Sequence, residues 1–106
     1  LEFDQADFGM IGLETVFGLI NTHNTKVDLS KIIDKLTVAP RNILNIELPI
    51  IKEGAKANLT VFDTELEWVL TKKEIRSKCS NTPFIGKKMK GRAIAVLNNN
   101  QLTRVQ

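Results

Sequence analysis

The sequence predicts an α+β chain in which helices precede strands. Apolar side chains recur at helical spacing between residues 13 and 46, whereas residues 92–105 alternate around a polar turn, and the period changes near residue 50. The chain has 106 residues, of which 42% are hydrophobic and 25% charged, as in one small globular domain. This length is too short for a closed (β/α)₈ barrel, which takes roughly 250 residues.

Residues 1–12 predict a loop. Gly9 and Gly12 lie three residues apart among apolar neighbours, a spacing typical of backbone that bends tightly or approaches another group closely. Asp4 and Asp7 are two carboxylates that acid–base chemistry could use. Because a loop does not force side chains three residues apart to converge, the preferred interpretation of this pair is a solvated acidic loop.

Three short helices are predicted in the first half. The first carries Glu14 in its first turn, where an acidic side chain complements the helix dipole, and ends within the polar residues 21–25. Asp28 is a good N-cap for the second helix. The residue before Pro40 is pushed away from helical angles, so the second helix ends there and Pro40 opens the third. The apolar stripes are Leu13, Val16, Phe17 and Ile20, then Leu29, Ile32, Ile33 and Leu36, then Ile43, Leu44 and Ile46.

The second half predicts strands joined by turns. Residues 59–62 are rich in β-branched and aromatic side chains, residues 68–70 form a second short strand, and Asn98–Asn100 join the two strands of a terminal hairpin. Thr71 and Glu74 form a capping-box pattern that can begin a single helical turn. The predicted turns and loops lie at residues 52–54 and 81–86, and the hairpin strands at 92–97 and 101–105.

Positive charge is concentrated in the second half, although the whole chain carries only +3. Residues 54–106 hold 10 basic and 4 acidic side chains, against 5 basic and 8 acidic in residues 1–53. Such a cluster can bind phosphates, but only Trp68 and Phe84 lie near it as platforms for stacking bases, so a solvated basic face is preferred to nucleic-acid binding. The cluster consists of Lys72, Lys73, Arg76, Lys78, Lys87, Lys88, Lys90 and Arg92, with Glu74 among them.

The sequence contains one His and one Cys, which excludes several kinds of site. His23 alone cannot form a metal site that needs two imidazoles, and Cys79 alone cannot form an internal disulfide or a two-thiol metal site. Neither a Gly-x-Ser-x-Gly elbow nor a phosphate-binding Gly-rich loop occurs. No apolar run approaches the roughly 20 residues that span a bilayer. These observations predict a soluble, cytoplasmic chain with no membrane partner and no active site of its own.

Two segments resemble dihydroorotases closely. Residues 6–15 (ADFGMIGLET) resemble the Ala-Pro-Phe-Gly-x-x-Gly-Leu-Glu-Thr segment that follows the last barrel strand in that family. Residues 77–86 (SKCSNTPFIG) resemble the family's Ser-Lys-x-x-Asn-Thr-Pro-Phe-x-Gly. These two runs favour dihydroorotase over the related dihydropyrimidinases and allantoinases.

Two further segments are similar to the wider amidohydrolase superfamily. Residues 36–44 (LTVAPRNIL) are similar to its pattern of a helix followed by Asn-Pro-Ala-x-x-Leu, and residues 51–59 (IKEGAKANL) to its Ile-x-x-Gly-x-x-Ala-Asp-Leu. The four segments follow the family's order over essentially all 106 residues. Asp7 replaces the usual Pro and Asn58 the usual Asp, so the local backbone or hydrogen bonds are expected to differ there.

The resemblance implies the C-terminal part of a dihydroorotase. Residues 1–50 would supply the substrate loop and closing helices of a metal-dependent (β/α)₈ barrel, and residues 51–106 the C-terminal strands of a small β-sandwich. The family's metal ligands, which hold zinc or another divalent metal, are a His-x-His pair, a carboxylated Lys, two further His and an Asp. All of them would lie upstream of Leu1, so the resemblance implies that this fragment binds no metal and is inactive alone.

The resemblance also implies a substrate site and partners. In dihydroorotases the backbone at the pair matching Phe8 and Gly9 contacts the substrate. The alternative interpretation of Gly9 is that it is needed only for the turn into the helix. The parent would interconvert N-carbamoyl-L-aspartate and dihydroorotate in pyrimidine synthesis, and family members are often homodimers. Two alternatives remain open: a non-catalytic dihydroorotase-like partner of aspartate carbamoyltransferase, which the change at Asp7 motivates, and a basic nucleic-acid-binding module.

Overall fold

The computed structural model describes residues 2–6 and 9–105. Within them the chain forms three α-helices and three β-strands, and the α+β class is confirmed. The helices are α1 (Val16–His23), α2 (Leu29–Leu36) and α3 (Val38–Leu44), and the strands are β1 (Leu59–Val69), β2 (Lys88–Asn98) and β3 (Gln101–Arg104). Short 3₁₀ turns lie at Phe3–Gln5 and Lys72–Glu74.

The second and third helices lie where the sequence predicts them. Asp28 occupies the N-cap position of α2 with extended backbone, although its side chain makes no capping hydrogen bond. Helix α2 ends at Leu36, before Pro40, as predicted, but the break lies at Thr37 (φ −126°, ψ −67°). The predicted cause is wrong, because Ala39, the residue before Pro40, is already helical in α3. Helix α3 already begins at Val38, so Pro40 lies in its first turn, where a missing N–H leaves no helical bond unmade.

The first helix begins later than predicted. Residues 13–15 form a turn, in which the Thr15 and Val16 N–H groups both donate to the Gly12 carbonyl at 3.1 Å. Leu13, expected at the start of the apolar stripe, is 97% exposed. The prediction that Glu14 lies in the helix is therefore wrong, and its carboxylate is used elsewhere.

The three strands form one sheet in the order β1-β2-β3. The predicted terminal hairpin is confirmed: β2 and β3 pair antiparallel, with Asn98 opposite Gln101, and the turn residues Asn99 and Asn100 have φ of 50° and 62°. Positive φ at both central residues is the signature of a type I′ turn, which asparagine tolerates. The two short strands expected at 59–62 and 68–70 are instead one continuous strand, β1.

The described chain separates into two compact units. One contains the residues up to His23 together with Asp63–Arg92, and the other contains Asn24–Phe62 together with the residues from Ala93 onward. The first unit has its core at Leu70 and Met89, which are 2% and 1% exposed. The second has its core at Ile32, which is 7% exposed and lies on α2, and α2 contacts α3. The domain boundary between residues 50 and 51, which concerns the parent protein, stays a prediction.

In the first unit, the backbone of α1 lies close to the backbone of β2. A Cβ built on Gly18 of α1 would lie 3.2 Å from the Gly91 carbonyl and 3.2 Å from Cζ2 of Trp68. The Asn21 amide donates to the carbonyls of Thr64 (3.0 Å) and Lys90 (2.7 Å), one on each long strand. Helix α1 thus packs against β1 and β2 through small and polar side chains.

Large apolar side chains are mostly exposed in the part of the chain that the structure describes. Only three hydrophobic residues are fully buried there, whereas twenty large ones are exposed, among them Leu13, Ile43 and Ile51 at 97%, 81% and 88%. Leucine and isoleucine are among the residues most often buried in folded proteins. No helix within residues 2–6 and 9–105 is long and apolar enough to cross a membrane.

Candidate functional site

The two segments that resemble dihydroorotases most closely lie against each other in the first unit. The first contains the glycine loop, residues 9–15, which leads into α1. The second contributes residues 77–82 to the anchor segment, residues 76–82, which lies between the 3₁₀ turn and β2. They are more than 60 residues apart in sequence, yet several hydrogen bonds join them. Residues of both segments line a narrow cleft together with Leu70 and Ile75.

Asn81 holds the first part of the glycine loop at two points. Its side-chain amide donates to the Gly9 carbonyl at 2.6 Å, and its own carbonyl accepts the Ile11 N–H at 2.9 Å. The second distance is typical of an N–H···O hydrogen bond, and the first is shorter than most. The main chain at Gly9–Ile11 is therefore fixed in direction relative to the anchor segment.

Glu14 holds the second part of the loop. One of its carboxylate oxygens accepts the main-chain N–H groups of Arg76 (3.0 Å) and Ser77 (2.9 Å), and the other lies 2.9 Å from the Arg76 N. A carboxylate that accepts main-chain N–H groups forms charge-assisted bonds, which are stronger than neutral ones. Glu14 thus makes a long-range contact instead of the predicted interaction with the helix dipole.

We expect Glu14→Ala to loosen the anchor segment. Removing the carboxylate leaves the Arg76 and Ser77 N–H groups without their acceptor, so their hydrogen–deuterium exchange should accelerate roughly tenfold, the effect of losing about 1.4 kcal/mol. Mass spectrometry of peptides covering residues 76–77 measures this rate. Glu53→Ala is the matched control, because Glu53 is exposed in a turn. Equal exchange in both variants would contradict the assignment.

Of the two predicted substrate-contacting residues, the structure describes one. Phe8 lies outside the described residues. Gly9 is exposed, with φ of 76°, and a Cβ built on it would meet nothing within 4 Å. Glycine is therefore favoured at this position by its backbone angle, since other residues rarely adopt positive φ. The open space leaves the main chain accessible to a ligand, and contact with substrate stays a prediction.

The other candidate residues stay apart. His23 is exposed at the end of α1, and Cys79 is an exposed free thiol in the anchor segment. Asp4 lies in the first 3₁₀ turn, while Asp7, its predicted companion, lies outside the described residues. Within residues 2–6 and 9–105, no group of three or more His, Cys, Asp or Glu side chains could hold a metal ion. That the metal ligands lie in the parent outside this segment stays a prediction.

Acidic residues neutralise part of the basic cluster. On β2, Lys88 pairs with Glu67 at 3.0 Å and Lys90 with Glu65 at 2.7 Å, both acids lying on β1. The hydrogen bond from Lys90 to Glu65, reinforced by the charge of that carboxylate, raises the pKa of Lys90 above its ordinary value. The sequence pattern missed these pairs because it shows only Glu74 within the run. Neutralisation weakens the case for a phosphate-binding face.

Arg92 and Glu74 form a more protected pair in the same unit. The guanidinium Nη1 lies 3.0 Å from Glu74 Oε1, and both side chains are less than a third exposed. The guanidinium also lies over the Trp68 ring, 4.7 Å from its centroid, while the indole N–H donates to the Gly91 carbonyl at 2.8 Å. This cluster joins the 3₁₀ turn at Lys72–Glu74 to both long strands, and its role is structural.

Comparison with known proteins agrees with the resemblance of these segments. The chain is 43% identical over 102 residues to the dihydroorotase of Chlorobaculum tepidum, a match that covers 93% of the chain and 23% of the relative. It is 38% identical over 104 residues to the dihydroorotase of Clostridium acetobutylicum, covering 95% and 24%. It is 37% identical over 97 residues to the dihydroorotase of Staphylococcus aureus, a match that covers 89% of the chain and 23% of the relative. No family model matches the chain.

These features define an α+β segment whose glycine loop is held by a second, distant segment. By sequence the chain belongs to the dihydroorotase family, as the two motifs predict. It spans about a quarter of the length of the relatives that it matches. The roles of Glu14 and Asn81 were not foreseen, although both lie inside the quoted motifs.

Proposed function

We propose that these residues form the C-terminal quarter of a dihydroorotase. The parent enzyme would interconvert N-carbamoyl-L-aspartate and dihydroorotate in pyrimidine biosynthesis. The observation that carries the proposal is the 43% identity to a dihydroorotase over 93% of the chain. The hydrogen bonds from Ser77 to Glu14 and from Asn81 to Gly9 support it, because they join the two segments that carry the resemblance.

In this proposal the rest of the parent covers the exposed apolar side chains. The chain accounts for about a quarter of its relatives' length, and its described residues bury only three hydrophobic side chains fully. Residues 1–50 would contribute the substrate loop and closing helices of the barrel, and residues 51–106 the strands of the β-sandwich. The parent would be cytoplasmic and able to form a homodimer.

The proposed contribution of this segment to catalysis is substrate binding. Phe8 and Gly9 would present their main chain to dihydroorotate, with glycine allowing close approach because it has no Cβ. Zinc or another divalent metal would supply the activated water of the amide hydrolysis, held by residues of the parent outside this segment. The segment's own residues would bind and orient the substrate.

Assay of the full-length chain tests the proposal. We expect the purified full-length protein to consume dihydroorotate and form N-carbamoyl-L-aspartate, with loss of activity after treatment with a chelator and recovery on adding Zn²⁺. The Clostridium acetobutylicum relative serves as the positive control. Absence of turnover, together with co-purification of the chain with aspartate carbamoyltransferase, would instead support the non-catalytic partner.

A further inference from the structure

Asn81 controls the orientation of the peptide that joins Gly9 to Met10. The part of the chain that the structure describes contains no cis peptide bond, so in the Gly9–Met10 peptide the carbonyl and the N–H point in opposite directions. The Gly9 carbonyl is bonded to the Asn81 amide at 2.6 Å. The Met10 N–H therefore points away from Asn81.

The Met10 N–H remains available as a donor. Within residues 2–6 and 9–105, no acceptor bonds this N–H, and the Met10 side chain is 59% exposed. The next peptide is fixed as well, since the Ile11 N–H donates to the Asn81 carbonyl at 2.9 Å. Asn81 thus anchors both the Gly9–Met10 peptide and the Met10–Ile11 peptide. The Met10 N–H, which lies between the two bonds, is therefore held in one direction.

We infer that Asn81 is a positioning residue that aims the Met10 main-chain N–H at an oxygen atom of the substrate. The inference rests on the proposed function, in which the loop at Gly9 contacts dihydroorotate. In this inference Asn81 acts through the loop, because its side-chain amide donates to the Gly9 carbonyl and its main-chain carbonyl accepts the Ile11 N–H. A donor held in advance needs no reorganisation when substrate binds, so binding is tighter than with a free loop.

Substitution of Asn81 in the full-length enzyme tests this role. Asn81→Ala removes the amide, and Asn81→Asp keeps its shape but places a carboxylate, which cannot donate, against the Gly9 carbonyl. We expect both variants to raise KM for dihydroorotate by roughly tenfold while kcat stays within about twofold. This pattern is expected because the bond from the Met10 N–H would stabilise the bound substrate and the transition state equally. Asn58→Asp is the matched control, since it makes the same change at an exposed asparagine in the other unit.

Two further measurements distinguish an error in the role of Asn81 from an error in the placement of the substrate and from loss of the fold. Gly9→Ala in the same enzyme tests whether the loop touches substrate at all, and thermal unfolding of every variant tests whether the fold is intact. A raised KM in Gly9→Ala with an unchanged KM in both Asn81 variants would overturn the role of Asn81 alone. Unchanged KM in all three, or a fall in kcat that follows a fall in melting temperature, would also overturn it. An inactive wild-type enzyme would refute the proposed function itself.

Discussion

The isolated 106-residue chain should not consume dihydroorotate, whereas the full-length enzyme should. Hydrolysis of a cyclic amide requires an activated water and groups that move protons, and this chain has one histidine, exposed at the end of α1. Its described residues contain no group of three acidic, thiol or imidazole side chains able to hold a metal. We therefore expect no turnover above the rate in buffer.

Mixing experiments extend this prediction. The chain should restore turnover when added in equimolar amount to the remaining three quarters of the enzyme, because its exposed apolar side chains would then be covered. A variant of the chain with Gly9→Val is the control, since it retains those apolar side chains but places a branched residue at a backbone φ of 76°. Turnover by the isolated chain would contradict the assignment of the catalytic residues to the rest of the parent.

Local sequence signals predicted most element boundaries because the interactions that set them are local. Asp28 takes the extended backbone of an N-cap residue, so the start of α2 at Leu29 could be predicted from neighbouring residues. Asn99 and Asn100 tolerate positive φ, so the hairpin turn could be predicted in the same way. No distant residue is needed for either feature.

The errors arose where distant residues decide the structure. Glutamate is typical of the first turn of a helix, which is why the sequence predicts Glu14 there. Its carboxylate instead accepts the N–H of Arg76, 62 residues later, and α1 begins after it at Val16. The sequence predicts two strands in place of β1, because four of the five residues 63–67 are polar or charged. In the structure Glu65 and Glu67 pair with lysines on β2 and the strand is continuous. Neither partner could be deduced from spacing along the chain.

The candidate site was predictable only through its motifs. Gly9 was chosen because the run around it resembles a substrate-contacting segment, and Asn81 belongs to a second such run. Nothing in the composition of either run indicates that the Asn81 amide reaches the Gly9 carbonyl, which lies 72 residues earlier. The resemblance indicated which segments are important, and the structure adds how one holds the other.

Gly91→Ala should destabilise the first unit more than any other single methyl addition considered above. Gly91 has φ of 104°, and a Cβ built there would lie 2.7 Å from the Asn21 amide nitrogen and 3.2 Å from Cε1 of Phe17. Backbone strain costs about 1 kcal/mol. Displacing Asn21 would also break its bonds to Thr64 and Lys90, each worth about 1 kcal/mol, so the expected total is about 3 kcal/mol.

Gly86→Ala is the control that separates the cost of backbone strain from the cost of the steric clash at Gly91. Gly86 lies in the same unit with a comparable φ of 84°, but a Cβ there meets nothing within 4 Å, so only the strain of about 1 kcal/mol is expected. Thermal unfolding of the full-length chain should therefore give a lower midpoint for Gly91→Ala than for Gly86→Ala, and the double variant Gly91→Ala with Asn21→Ala should recover part of the difference. Equal midpoints for the two single variants would show that α1 does not pack on β2 at the distance described, because only Gly91 has Asn21 and Phe17 within contact range.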